Sequence, residues 1–390
     1  MLKTIPQYLS AMSDTYGLTR TLGVIAICTN PNGEPIYHIG NNSIIFCIEH
    51  EGRRKMLKCY TREKRNLRRI YGSKCLRDEL YIHHSNTQGE WVDVVLDEWI
   101  EGETLYRHVI NNLGDTAKIV AIAEKFNRFA YSLLAEDWAH GDLKPENIMV
   151  TPEGKLHLVD FDAMFLPEME GETSDETGTA TFQHPARNAD YFDKSIDDYP
   201  IAIISTALHV LAADPSFAER YNIEDQILVQ EDVIAGKSAV HDDILSIFAR
   251  EGMALQYRIA QLLCSATPKL HGLSELLGYA TAQANHADAP DPELLTLDNH
   301  NGLWGYCCGE KFIIPPIYDS GFDFSEGVAA VCIGGYHHYI DSTGRVVLKC
   351  PQYEAIKPFR NGRATVIENG VRKEINLRGE EILVCNSKSY

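Results

Sequence analysis

The stretch HGDLKPENIMV, residues 140–150, places a histidine, two acids, a lysine and an asparagine within eight positions and then becomes apolar. The turn TPEGK follows at 151–155, and a second apolar run, LHLV, ends in Asp-Phe-Asp at 160–162. Two short apolar runs joined by a turn containing Pro and Gly predict a β-hairpin. A hairpin holds the residues at its ends in fixed positions, so 140–147 and 160–162 are candidate functional segments.

Charge and composition exclude several classes of protein. The formal net charge is −19, of which residues 297–390 contribute −1, so general nucleic-acid binding is not expected. No apolar run reaches the length of a membrane span, and the first residues lack the apolar core of a secretory signal. The ten cysteines show no zinc-ligand spacing, which favours reduced thiols and a cytoplasmic protein without a membrane partner.

The predicted secondary structure changes twice along the chain, from strands to helices and then back to strands. Residues 22–60 read as short strands separated by turns such as Asn-Pro-Asn-Gly, and 62–74 read as a helix. Helical periodicity begins near 115, and 195–215 is apolar nearly all round, which predicts a buried helix headed by Asp198. A segment rich in Pro and Asp follows near 285, and strands and turns are predicted after it.

The C-terminal part contains an internal repeat. FSEGVAAV at 324–331 matches FRNGRATV at 359–366, and PPIYD at 315–319 matches CPQYE at 350–354, both at a separation of 35 residues. GLWGY at 302–306 precedes the first unit. Two features that recur at one period predict repeated supersecondary units.

Asp142, Lys144 and Asn147 stand at relative positions 0, +2 and +5, which resembles the catalytic loop of protein kinases. The resemblance implies that the Asp142 carboxylate accepts the proton of the attacking hydroxyl. It implies that Lys144 neutralises charge on the transferred phosphoryl group, and that the Asn147 amide oxygen holds a magnesium ion. An arginine is usual before the aspartate, but this chain has Gly141.

Asp160 occupies the position of the aspartate in the Asp-Phe-Gly segment of kinases, which implies that it is a second magnesium ligand. Asp162 replaces the glycine of that segment. Upstream, KMLKCY is similar to the kinase strand whose lysine contacts the α- and β-phosphates of ATP, and this role falls to Lys58.

Other parts of the nucleotide site follow from the same resemblance. The backbone of Glu98 and Ile100 is expected to contact the adenine edge, and Gly40 and Ser43 stand in a reduced form of the glycine-rich phosphate loop. Glu63 is the preferred partner of Lys58, and Glu79 is the alternative.

The resemblance implies an α+β fold, with a two-lobed protein kinase-like domain at 1–284 and a β-rich module at 297–390. The N-lobe would span about 15–100 and the C-lobe about 101–284, and residues 285–296 would form a linker. The repeats resemble WG repeats, named after Trp-Gly as in Trp304-Gly305. The Asp-Phe-Asp at 160–162, together with QHPAR at 183–187, is similar to a divergent group of bacterial kinase-like proteins.

The sequence therefore predicts an ATP-dependent phosphotransferase, of the Ser/Thr protein kinase type, with ATP and Mg²⁺ as cofactors. Its partners would be a protein substrate and a protein that binds the WG repeats. Two alternatives remain open. The reduced glycine loop and Asp162 favour a nucleotide-binding pseudokinase scaffold, and the His-Gly-Asp sequence at 140–142 also occurs in small-molecule phosphotransferases.

Overall fold

The computed structural model describes residues 3–85, 87–221, 228–283 and 290–382. The chain divides into two compact units, one formed by Met1–Glu103 with Met149–Met164 and the other by Thr104–Ile148 with Phe165–Tyr390. Helices and strands are mixed, and the C-terminal part is rich in strands. The predicted linker at 285–296 lies partly outside the described residues.

The secondary-structure elements are numbered in chain order. The helices are α1 (Ile5–Ser13), α2 (Leu67–Tyr71), α3 (Leu105–Asn112), α4 (Thr116–Leu134), α5 (Asp198–Ala213), α6 (Phe217–Tyr221), α7 (Gln230–Ile234), α8 (Ala239–Glu251), α9 (Ala254–Leu262) and α10 (Leu273–Gln283). The strands are β1 (Ala26–Ile27), β2 (Tyr37–Ile39), β3 (Ser43–His50), β4 (Arg53–Tyr60), β5 (Cys75–His83), β6 (Gly89–Glu98), β7 (Glu103–Thr104), β8 (Ile148–Val150), β9 (Leu156–Leu158), β10 (Thr296–His300), β11 (Leu303–Cys308), β12 (Lys311–Tyr318), β13 (Ser320–Gly321), β14 (Ala329–Ile333), β15 (Tyr336–Ile340), β16 (Val346–Cys350), β17 (Ala355–Ile356), β18 (Ala364–Glu368) and β19 (Val371–Ile375).

The first unit contains an antiparallel sheet in the order β1-β3-β4-β6-β5, with β2 also paired to β3. Alternate residues of β3, namely Ile44, Phe46 and Ile48, are fully buried in a cluster that includes residues of α1. This period of two follows from the opposite directions of successive side chains in a strand. Lys58 lies in the middle of β4, where it pairs with Ile45 on one side and Val95 on the other.

Helix α2 is much shorter than the helix predicted at 62–74, because it contains only five residues. Gly72 follows it with φ 53°, a left-handed conformation that glycine adopts easily and that ends a helix. The sequence before α2, Arg62-Glu63-Lys64-Arg65, is not helical. Helix α2 is therefore little more than one turn long, and this limits where Glu63 can reach.

The second unit begins with helices that surround α5. Nearly every residue of α5 is buried, including Ile201, Ala202 and Val210, and this confirms the buried helix predicted at 195–215. Among the described helices, none combines the length and the apolar character needed to cross a lipid bilayer.

The strands of the C-terminal part repeat with the predicted period. Strands β13, β14 and β15 recur as β17, β18 and β19, each exactly at a separation of 35 residues. Both sets are antiparallel, and β16 continues the first sheet. The internal repeat is therefore a repeated β-hairpin with a short preceding strand.

Helices and repeats of the second unit share an apolar core. Ala249, Ala254 and Leu255 from the region of α8 and α9 lie in one buried cluster with Tyr306 and Ile314 of the repeats. Packing of this kind removes apolar surface of both parts from water, so the repeats are anchored to the helices.

Candidate functional site

The backbone of the 140–147 loop is fixed by a buried carboxylate. Asp197, which precedes α5 and is 5 % exposed, accepts hydrogen bonds from the backbone N–H groups of His140 (2.5 Å) and Gly141 (2.9 Å). Gly141 has φ 81°, a conformation that a side chain would strain. The sequence assigned the start of this helix to Asp198, and α5 does begin there, but the carboxylate that contacts the loop belongs to Asp197.

Asp142 is the centre of a polar cluster within the second unit. Its Oδ1 accepts from the backbone N–H of Thr179 (2.6 Å), and its Oδ2 accepts from Asn147 Nδ2 (3.2 Å). Lys144 Nζ lies 3.3 Å from Asp142 Oδ2 and donates to Thr179 Oγ1 at 2.8 Å. The structure therefore brings together the three loop residues that the sequence singled out.

Asn147 presents its amide in a defined orientation. Nδ2 donates to both the backbone oxygen (2.9 Å) and the carboxylate of Asp142, and the side chain is buried. Since the nitrogen is turned toward Asp142, the Oδ1 oxygen is the amide atom that can face a cation. An amide oxygen is a ligand of the kind that Mg²⁺ accepts.

The segment 178–187 packs closely against this loop. A Cβ atom on Gly178, whose φ is 76°, would lie 2.6 Å from the Gly141 carbonyl oxygen, so only glycine fits there. Arg187 is buried and donates from Nη1 to the same carbonyl at 2.9 Å. The loop is thus held from both sides by backbone and side-chain contacts.

A second polar cluster lies in the first unit around Lys58. Its ammonium donates to Asp160 Oδ1 (2.5 Å) and to Asp162 Oδ2 (2.8 Å), and its side chain is only 2 % exposed. Burial lowers the pKa of Lys58, but the two carboxylates more than offset this effect and the net shift is upward. Lys58 is therefore a buried cation that needs these partners.

Asp162 has further donors on its other oxygen. Asp162 Oδ1 accepts from the hydroxyls of Tyr60 (2.9 Å) and Tyr71 (2.8 Å), and the carboxylate is 11 % exposed. Burial, together with the neighbouring charge of Asp162, raises the pKa of both tyrosines far above its ordinary value, so both hydroxyls keep their protons and donate. Lys64 Nζ lies 3.9 Å from Asp162 Oδ2.

The structure does not bring Glu63 to Lys58. Glu63 is exposed, whereas the carboxylates that contact the Lys58 ammonium belong to Asp160 and Asp162. Glu79, the alternative partner, is buried elsewhere and accepts backbone hydrogen bonds from residues 20–22. The reason is the shortness of α2, which leaves Glu63 in irregular structure before the helix.

The other predicted nucleotide contacts lie at the ends of strands and in a turn of the same sheet. Gly40 and Ser43 close the tight turn between β2 and β3, with a hydrogen bond from Gly40 N to Ser43 O at 2.9 Å. Glu98 ends β6, where its side chain pairs with Lys55, and Ile100 follows in irregular structure.

The predicted magnesium ligands, Asn147 and Asp160, belong to different units. Over the ranges that the structure describes, no three His, Cys, Asp or Glu side chains are grouped as a metal site. Asp160 is 39 % exposed and offers a carboxylate, and Asn147 offers an amide oxygen. A carboxylate and an amide oxygen are each a kind of ligand that Mg²⁺ accepts.

Comparison with known proteins identifies the repeats. Residues 310–336 and 339–371 match the family described as WG containing repeat, which confirms the WG repeats predicted from the sequence. A comparison with curated proteins gave no match.

Three residues of the site carry roles that sequence reasoning missed. Asp197 fixes the loop, Thr179 contacts both Asp142 and Lys144, and Arg187 reaches Gly141. The adjacent acids in SIDDYP, 195–200, were a signal for Asp197, but the spacing alone did not show which of the two faces the loop.

Proposed function

We propose that this protein is an ATP-dependent phosphotransferase of the Ser/Thr protein kinase type. The observation that carries the proposal is the Asp142 cluster. Its carboxylate is held between a backbone N–H and the Lys144 ammonium, in a loop that Asp197 fixes. A carboxylate held in this way is preorganised to accept a proton, and a neighbouring cation can stabilise developing negative charge.

In the proposed reaction, the acceptor hydroxyl oxygen forms a bond to the γ-phosphorus of ATP. The bond from that phosphorus to the β–γ bridging oxygen breaks, and ADP leaves with the electron pair. Asp142 accepts the hydroxyl proton, and Lys144 stabilises charge on the transferred group. Magnesium, held by Asn147 Oδ1 and the Asp160 carboxylate, would neutralise charge on the phosphates when it is bound.

The nucleotide contacts in this proposal come from the first unit. Lys58 is assigned to the α- and β-phosphates, and the buried cation is suited to an anionic ligand. The turn that contains Gly40 and Ser43 is assigned to the phosphates, and the backbone at Glu98 and Ile100 is assigned to adenine. The protein is proposed to act on a protein substrate in the cytoplasm, and its WG repeats to bind a further protein.

A pseudokinase scaffold is the second candidate. The observation in its favour is that Lys58 is already engaged by two carboxylates, which compete with nucleotide phosphates for the ammonium. Retention of Asp142, Asn147 and Asp160 supports the active enzyme. Nucleotide binding without transfer would distinguish the scaffold from the kinase.

The test combines binding and transfer. Mg-ATP should raise the melting temperature, since a ligand at a hundredfold excess over its Kd adds about 2.7 kcal/mol. Labelled ATP should then label a protein substrate, and Asp142→Asn should reduce this transfer by roughly 10²–10⁴, the usual effect of losing a positioned base.

Asp190→Asn is the matched control, because Asp190 is an exposed carboxylate in the same unit. It should leave both measurements unchanged. Transfer that survives Asp142→Asn undiminished would show that Asp142 is not the base. If millimolar Mg-ATP does not raise the melting temperature, the proposal that the protein binds a nucleotide is wrong.

A further inference from the structure

The Lys58 cluster contains one carboxylate more than the kinase pattern requires. Asp160 is assigned to magnesium, and the pattern has glycine at the position of Asp162. We propose that Asp162 is a positioning residue that holds the Lys58 ammonium for the nucleotide phosphates. This inference rests on the proposed function, and it assigns to Asp162 the task that kinase-like proteins usually give to a glutamate on a helix.

The first step of the argument is the geometry of the carboxylate. Two tyrosine hydroxyls, of Tyr60 and Tyr71, donate to Asp162 Oδ1, whereas Lys58 donates to Oδ2 at 2.8 Å. The tyrosines belong to β4 and α2, and both are buried, so they fix the plane of the carboxylate. Hydrogen bonds to a charged group are stronger than neutral ones, which favours a rigid arrangement.

The second step compares the two carboxylates that Lys58 contacts. Asp160 is 39 % exposed, whereas Asp162 is 11 % exposed. The hydroxyls of Tyr60 and Tyr71 both donate to Asp162. Lys58 donates to both carboxylates, but Asp160 is the more exposed one and can be reached by a cation, whereas Asp162 is enclosed and oriented by the two tyrosines.

The third step is that neither Glu63 nor Glu79, the two glutamates considered as partners of Lys58, contacts the Lys58 ammonium in the described structure. Helix α2 spans five residues and Glu63 is exposed before it, while Glu79 bonds the backbone of 20–22. Asp162 stands where the kinase pattern has glycine. It therefore supplies to Lys58 the carboxylate that the short helix α2 does not bring there. An ammonium has three N–H donors, so Lys58 keeps one for a phosphate oxygen while it bonds Asp160 and Asp162.

A thermodynamic cycle tests the proposal. The dissociation constant of the magnesium complex of a non-hydrolysable ATP analogue is measured for the full chain by calorimetry. The variants are Lys58→Met, Asp162→Asn and the double variant. We expect each single variant to weaken binding by roughly tenfold, the loss of one charge-assisted hydrogen bond. If Asp162 acts through Lys58, the double variant should bind like Lys58→Met.

Tyr71→Phe provides a milder variant in case Asp162→Asn disturbs folding. It keeps both charges and removes one bond that orients the carboxylate, so it should weaken binding in the presence of Lys58 and have no effect on Lys58→Met. Glu63→Gln tests the alternative tether, and we expect its effect on binding to be independent of Lys58.

The outcomes separate the two proposals. Additive effects of Lys58→Met and Asp162→Asn, tighter binding by Asp162→Asn, or coupling of Glu63 to Lys58 would each overturn the role of Asp162 and leave the kinase proposal standing. Failure of the wild-type protein to bind the analogue at millimolar concentration would overturn both.

Discussion

Asp197 determines the conformation of a loop to which it does not belong. Its two oxygens accept the N–H groups of His140 and Gly141, and these donors are buried with it. Buried backbone donors need an acceptor, and an ionised carboxylate supplies two. The position of Asp142 therefore depends on a residue 55 positions later in the chain.

Asp197→Asn should destabilise the protein. An asparagine offers one carbonyl oxygen and turns an NH₂ group toward the second N–H, so one buried donor loses its partner. The expected loss is about 2 kcal/mol of the free energy of unfolding, measured by urea denaturation. Asp190→Asn, at an exposed site, should change it by less than about 0.5 kcal/mol. Equal stability of the two variants would show that Asp197 is not the anchor of the loop.

Residues that act within a short segment could be predicted from the sequence. Asp142, Lys144 and Asn147 lie within six consecutive positions, and the hairpin after them follows from local turn chemistry. The partner of Lys58 could not be predicted, because Asp162 lies 104 positions away and its selection depends on the length of α2. The spacing of residues in the sequence indicates only local geometry. Tertiary contacts decide whether Glu63 or Asp162 binds the Lys58 ammonium.

At the scale of elements, the two repeats use the same polar contact. Tyr306 donates its hydroxyl to Phe322 O at 2.8 Å, and Tyr339 donates to Lys357 O at 2.7 Å. The two acceptors are one period of 35 residues apart. Each tyrosine ring also packs against a phenylalanine, with centroids 4.8 and 4.7 Å apart. The two tyrosines are 33 residues apart and Tyr306 precedes the first matched unit, so the same kind of contact recurs although the donors do not follow the 35-residue period.

Tyr306→Phe and Tyr339→Phe should lower the free energy of unfolding by similar amounts. Each removes one hydroxyl and leaves a carbonyl oxygen without that donor, while the ring keeps its packing. The expected loss is about 1 kcal/mol for each variant in urea denaturation. Tyr16→Phe is the control, since Tyr16 is 81 % exposed and should show no loss. A loss in one repeat and none in the other would contradict their equivalence.

The sequence predicted the repeat well and the helix before β5 poorly. A period of 35 residues is visible in the letters, because both units have a phenylalanine, Phe324 or Phe359, followed three positions later by a turn glycine with positive φ, Gly327 or Gly362. The end of α2 at Gly72 was harder to predict, because the basic residues around it fit a helix equally well.

At the scale of the molecule, polar groups reinforce the apolar contact between helices and repeats. Arg258 of α9 is 8 % exposed and donates from Nε to Ile317 O (2.8 Å) and from Nη2 to Asp319 Oδ1 (2.7 Å). His338 of β15 bonds Ala249 O through Nε2 at 2.7 Å. These contacts join segments on both sides of the predicted linker, so the chain connection is not what keeps the repeats in place.

Cleavage of the linker should therefore leave the repeats bound. With a protease site inserted at 285–289, the nicked wild-type protein should elute as one species in gel filtration. Arg258→Ala leaves a buried carbonyl without its donor and should weaken association of the fragments by about 2 kcal/mol, roughly thirtyfold in Kd. Lys349→Ala is the matched control, because its ion pair with Glu251 spans the same parts but is exposed, and such pairs contribute about 1 kcal/mol or less. Separation of the wild-type fragments on nicking would instead show that 297–390 behaves as an independent domain, as the sequence predicted.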